Sequence, residues 1–198
     1  MKKVSGMLSA IILCAGMLFT VAAYANNSSE ANYAAAEEAF QAKVIKNIGH
    51  GKLVYFAAPM FSASERDYNL KITNLLEEFG YKVFLPQRDG IEAARLDGKT
   101  EEELVKMIFP LDVGEVKKAD IVFMNIDGRA PDEGACVELG IAYANGKRCY
   151  GFKTDPRTVE LKLEMNPMIS GCMIKIFKNY DSDKMIGELK EYLSKNAL

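Results

Sequence analysis

Histidine is almost missing from this chain of 198 residues, with His50 its single example. A histidine-based triad needs an imidazole beside a nucleophile and an acid, and metal sites usually gather several His or Cys side chains. One histidine with no cysteine cluster near it supports neither. Cysteine is scarce too, with four in all. Cys14 sits in an N-terminal apolar stretch, and the spacings of Cys136, Cys149 and Cys172 match no zinc pattern. Cys136 and Cys149 fall in core-like segments, so buried free thiols are expected. There is also no excess of one charge: 25 Lys and Arg are scattered among 27 Asp and Glu, for a net charge of −2. Nothing in that balance suggests the basic patch of a nucleic-acid surface. No internal repeat or low-complexity tract interrupts the chain. The one long apolar run, Met7 to Val21, is short and wrongly flanked for a membrane span.

That run fits a targeting segment instead. Lys2 and Lys3 precede it, Ala23-Tyr24-Ala25 supplies a small-residue cleavage site, and polar Asn26 to Ser29 follow. Residues 1–25 therefore read as a signal peptide, with an uncleaved membrane anchor as the alternative, and the mature protein is expected in the periplasm or outside the cell. No cysteine stands at the cleavage point, so a lipid anchor is not indicated. Residues 26–50 read as a tether, whose Ala/Glu-rich part, Ala31 to Lys46, could be helical with a thin apolar stripe. Residues 51–198 suit one domain.

Within that domain, apolar strands alternate with helical segments. Strands are expected at Leu53–Ala57, Tyr81–Leu85, Asp120–Met124, Arg148–Phe152 and Met173–Phe177. Helices are expected at Ser64–Phe79, from Thr100 to about Lys118, at Ala135–Ala144 and over 182–195. The Thr100 helix opens on a capping box with Glu103 and contains a helix-disturbing Pro110. Residues 87–99 read as a charged loop, and His50 falls in the turn before the first strand. This alternation predicts an α/β fold, a sheet of about five mainly parallel strands with helices on both faces.

The stretch from Asp120 to Gly146 carries the strongest functional signal. A continuous apolar run, a polar loop and a helix follow one another, and open α/β sheets bind ligands at such strand ends. Glu138 lies in that helix among Val137, Leu139, Ile141 and Ala142. A carboxylate in such surroundings is costly unless paired or used, the alternative being a solvated helix face.

Several motifs together resemble the nucleoside 2-deoxyribosyltransferase family: Tyr55-Phe-Ala-Ala-Pro, Asp112, Asp132-Glu-Gly-Ala-Cys-Val-Glu138-Leu-Gly, and Asn166-Pro-Met168. The resemblance covers roughly residues 52–195, and the Asp-x5-Glu-Leu-Gly element is its most specific part. It implies a flavodoxin-like doubly wound sheet and an enzyme that exchanges bases on 2′-deoxynucleosides through a covalent deoxyribosyl-enzyme. It implies a homo-oligomer with active sites shared between subunits, 2′-deoxynucleosides and free nucleobases as partners, and no metal or organic cofactor. By position, Glu138 matches the nucleophile, Tyr55 the tyrosine that holds it, and Asp112 the residue that binds the departing base and handles its proton. Asp132 matches the acceptor of the sugar 5′-hydroxyl, and Asn166 and Met168 the pair supplied from the neighbouring subunit. On residue type alone, Tyr55 also reads as a core aromatic, Asp112 as a helix-surface acid, and Asn166-Pro167 as an ordinary turn.

A carboxylate at position 132 would repel a 5′-phosphate, which favours nucleosides over nucleotides. An exported enzyme meets fewer free acceptor bases, and with water as acceptor the same chemistry becomes nucleoside or deoxynucleotide N-glycosidase activity. A binding module without turnover is the remaining alternative. It would have no use for a nucleophile.

Overall fold

The computed structural model describes residues 38–39, 48–157 and 163–198. The expected signal peptide and most of the tether lie outside the described residues. The chain divides into two compact units, Met1–Lys43 and Val44–Leu198. In the first, only Glu38 and Ala39 are described, both helical.

The second unit begins with a turn in which His50 and Gly51 both take positive φ, 48° and 70°. It then runs through β1 (Leu53–Ala57), α1 (Ala63–Glu78), β2 (Lys82–Phe84), α2 (Pro86–Asp89), α3 (Ala93–Leu96), α4 (Glu101–Lys118), β3 (Ile121–Asn125), α5 (Glu133–Ala144), β4 (Arg148–Lys153), α6 (Pro167–Ser170), β5 (Lys175–Lys178) and α7 (Ser182–Lys195). The five strands form one parallel sheet in the order β2-β1-β3-β4-β5. This is the flavodoxin-like doubly wound arrangement, with the order reversing between β1 and β3.

Strand alternation sorts the side chains onto two faces. Val54, Phe56, Ile121 and Phe123 pack under α1 and α7, with Ile72, Leu76, Met185 and Leu189. Tyr55, Ala57, Val122 and Met124 point the other way, toward Val116 of α4 and Ala135, Leu139 and Ala142 of α5. The Asp120 carboxylate accepts the Leu53 amide at 2.9 Å and pins the start of β1 beside β3.

The expected strands and long helices appear at shifted ends. β5 is Lys175–Lys178 rather than Met173–Phe177, because the Met173 amide still closes the turn after α6 on the Ser170 carbonyl, and the Ile174 amide is the first to reach β4, on the Cys149 carbonyl. Residues 87–99 are not a plain loop. Pro86, at the first position of α2, supplies a preset φ, and the Asp89 carboxylate caps the turn by accepting the Leu85 amide at 2.8 Å. Pro110 lies within α4, which the Thr100–Glu103 capping box opens as expected. Of the two thiols placed in core-like segments, Cys149 is buried but Cys136 only partly so, and Cys172 is partly buried as well; all three are free.

Candidate active site

Tyr55 stands at the middle of β1 and is fully buried. Its ring stacks on Phe84 of β2 at 5.6 Å, which fixes the direction of its hydroxyl. That hydroxyl donates to Glu138 Oε1 at 2.6 Å. Two positions that lie 83 residues apart in sequence are joined here because α5 packs on the same sheet face that Tyr55 reaches.

Glu138 arrives at this place through helix periodicity. Ala135, Leu139 and Ala142 form the stripe of α5 pressed to the sheet. Gly134, Glu138 and Ile141 form the next stripe, and this one lines a cavity of about 470 Å³. The opposite wall comes from α4, where Leu104, Val105, Ile108, Phe109, Asp112 and Val113 recur at helical spacing. Asp112 and Glu138 thus face one apolar cleft, a place that disfavours negative charge. Desolvation pushes the Glu138 carboxyl up to about 7, with the charges of Asp112 and Asp132 adding to it and the Tyr55 hydrogen bond opposing. Desolvation also raises Asp112 above the ordinary carboxylate range. Burial, then Glu138, push the Tyr55 hydroxyl far above its usual value, so it remains a donor.

Asp132 is the N-cap of α5, and its Oδ2 accepts the Ala135 amide at 2.8 Å. A side chain at position 134 would bring its Cβ to 3.1 Å from that oxygen, which gives Gly134 a local reason. Asn166 caps α6 in the same manner, its Oδ1 accepting the Met168 amide at 2.9 Å. Met168 is 79% exposed, and neither it nor Asn166 lines the Glu138 cavity. The fold therefore gathers Tyr55, Asp112 and Glu138, puts Asp132 at the helix start six residues before Glu138, and leaves the 166–168 turn outside. Among the described residues, no group of three His, Cys, Asp or Glu side chains is arranged to hold a metal ion.

The apolar wall of α4 was missed as part of the site from sequence. Its 3-4 spacing is visible in the chain, but that pattern ordinarily denotes a buried stripe. Here Phe109 is 60% exposed and Val105 57%.

A carboxylate held by a tyrosine, with a second carboxyl in the same apolar cleft, can attack an electrophilic carbon while its partner manages a leaving-group proton. On a sheet of this order, that describes an enzyme site of the flavodoxin-like class. The nucleoside 2-deoxyribosyltransferase family model matches residues 54–188, and the chain belongs to that family, a family of enzymes that act on nucleosides and nucleobases. A 2-deoxyribosyltransferase from Bacillus psychrosaccharolyticus shares 25% identity over 67% of this chain and 90% of its own, with a TM-score of 0.54. A conserved protein from Enterococcus faecalis V583 shares 22% identity over 71% and 98%, with a TM-score of 0.54. A CMP N-glycosidase from Clostridium botulinum shares 19% over 71% and 99%, with a TM-score of 0.48. No curated protein matches the chain.

Proposed function

We propose that this protein transfers 2-deoxyribose between purine or pyrimidine bases by double displacement on Glu138. The observation that carries this reading is the 2.6 Å bond from Tyr55 to Glu138, inside a cleft that Asp112 shares. Glu138 attacks C1′ of a 2′-deoxynucleoside, and a carbon–oxygen ester bond forms as the C1′–N bond breaks. The bonding pair leaves with the base, which takes the Asp112 proton. A second base then attacks C1′, gives its proton to Asp112 and releases Glu138 as carboxylate. Glu138 attacks as the carboxylate while Asp112 keeps its proton, and a bound base that covers Asp112 from water favours that arrangement.

Asp132 accepts the sugar 5′-hydroxyl through the carboxylate oxygen that does not cap α5. Asn166 and Met168 complete the cleft of a neighbouring copy. The exposure of Met168 and of the apolar rim at Val105, Phe109 and Val137 supports such an assembly. Residues 1–25 are read as a cleaved leader, and the mass of the protein recovered outside the cytoplasm checks this.

The deciding experiment incubates the protein with deoxyinosine and adenine and separates the products. Deoxyadenosine together with hypoxanthine supports exchange. Free deoxyribose with no new nucleoside replaces this reading with an N-glycosidase, and unchanged substrate leaves a binding module.

A further inference from the structure

Across the carboxyl edge of the sheet runs a line of polar contacts that the chemistry at Glu138 does not itself use. Asn69, on α1, is fully buried, and Asn125, at the end of β3, nearly so. The Asn69 amide donates to the Pro59 carbonyl at 2.7 Å and to Gln87 Oε1 at 3.1 Å. Its oxygen accepts from Asn125 Nδ2 at 3.3 Å, and Asn125 Oδ1 accepts the Asp127 amide at 2.9 Å. The Asp127 carboxylate then takes the Thr154 amide, the Thr154 hydroxyl and, at 2.8 Å, the Asp155 amide. Asp155 answers by accepting the Gly128 amide at 3.2 Å, and its other bonds go to Arg157. One path thus ties the segments that leave β1, β2, β3 and β4.

A buried asparagine pair and a carboxylate with three donors are poor choices for stability alone. Apolar side chains of similar volume would fill the same space without desolvating polar atoms. What the polar version adds is directional register between loops, since each bond fixes an angle as well as a distance. The loops it registers frame the cleft: Pro59 lies four residues past Tyr55, and Asp127 five residues before Asp132.

We infer that Asn69, Asp127 and Thr154 are positioning residues, which set the loop ending at Asp132 and the loop after β1 against Glu138 so that the sugar is presented in line for attack. This rests on the reading of Glu138 as nucleophile. Misplacement by a fraction of an ångström slows such a step without emptying the site.

The test follows covalent labelling by a 2-deoxy-2-fluoro nucleoside, read as intact mass against time, on the full protein. Asp127→Asn keeps the shape but cannot accept all three donors. Thr154→Val removes only the hydroxyl, and Thr154→Ser keeps it. Expected are complete labelling of Asp127→Asn at a rate reduced roughly tenfold to fiftyfold, a reduction of about threefold to tenfold for Thr154→Val, and a rate near wild type for Thr154→Ser. If the two slowed variants label at the wild-type rate, whether completely or in only part of the protein, the residues are merely structural and the inference is overturned. Equal slowing in Thr154→Ser and Thr154→Val also overturns it. A wild type that takes no label on Glu138 removes the underlying mechanism, and this inference with it.

Discussion

Helices α1 and α4 are of similar length and cover opposite faces of one sheet, yet they bury themselves very differently. α1 buries Asn69, Ile72, Thr73, Leu75 and Leu76. α4, two residues longer, buries only Val116 near its end, while Val105, Ile108 and Phe109 remain exposed. An exposed apolar stripe costs solubility and returns nothing to the fold of a single chain. The same stripe carries Asp112 and faces Glu138 across the cleft. Both faces of the sheet carry a buried core, but α1 is pressed onto its face along its length, whereas α4 leaves most of its apolar stripe open beside Glu138. Substitutions on the two faces should separate stability from activity.

The largest effect is expected at the centre of the open face. Glu138→Ala should lower base exchange by at least about a thousandfold, because the covalent route loses its nucleophile. Folding should survive, since removal relieves a poorly solvated carboxyl. Circular dichroism and product chromatography on the same sample measure both. Residual exchange above a few per cent would move the nucleophile elsewhere.

The closed face should respond in the opposite sense. Leu76→Ala, in the fully buried stripe of α1, should cost about 2–5 kcal/mol through lost transfer energy and a cavity. Phe109→Ser should change the stability of the isolated subunit by less than about 0.5 kcal/mol, since its ring is mostly in water. It should nevertheless weaken self-association if the rim seats a neighbouring copy. Urea unfolding and sedimentation test the pair, and equal destabilisation by both would erase the contrast between the faces.

This contrast also marks how far the sequence could be read. The strand–helix alternation was legible because each buried strand is a continuous apolar run, and Glu138 stood out because its neighbours are apolar. The partnership of Tyr55 with Glu138 was legible only through resemblance, since nothing local links residues 83 positions apart. The exposed stripe of α4 was not legible, because periodicity tells which residues share a face and not whether anything covers it. Asp127 lies in the polar loop that follows the apolar run of β3. Its grip on Thr154 and Asp155 depends on β3 and β4 pairing in parallel, a tertiary fact.

At the rim of the open face, Asp132→Ser should lower kcat/KM for deoxyadenosine by about tenfold to a hundredfold, the worth of one hydrogen bond to a charged acceptor. Part of the loss will be in the helix, but serine also caps well, so the fold should hold. The same substitution removes a negative charge opposite any 5′-phosphate and should narrow the preference for deoxyadenosine over its monophosphate. Wild-type preference for the monophosphate would contradict the role of Asp132.

The smallest effect concerns what the open face costs the fold. Burial pushes the Glu138 carboxyl up to about 7 in the folded protein against an ordinary value of 4.5. Between those values the native state binds more protons than the unfolded chain, so stability falls as pH rises from about 4.5 to about 7 and then levels. Ionising Glu138 is the source of the loss, and Glu138→Gln removes it while keeping an oxygen to accept the Tyr55 hydroxyl. The variant should match wild type near pH 4 and exceed it at pH 8 by about 1–2 kcal/mol, after allowing for the part of the group that water still reaches. In a chain of this size that is roughly 2–8 °C in Tm. Thermal melts of both proteins at the two pH values give the comparison. A gap in Tm that does not widen with pH would show that the cleft solvates Glu138 as well as water does, and that its raised carboxyl is not the cost of an open apolar face.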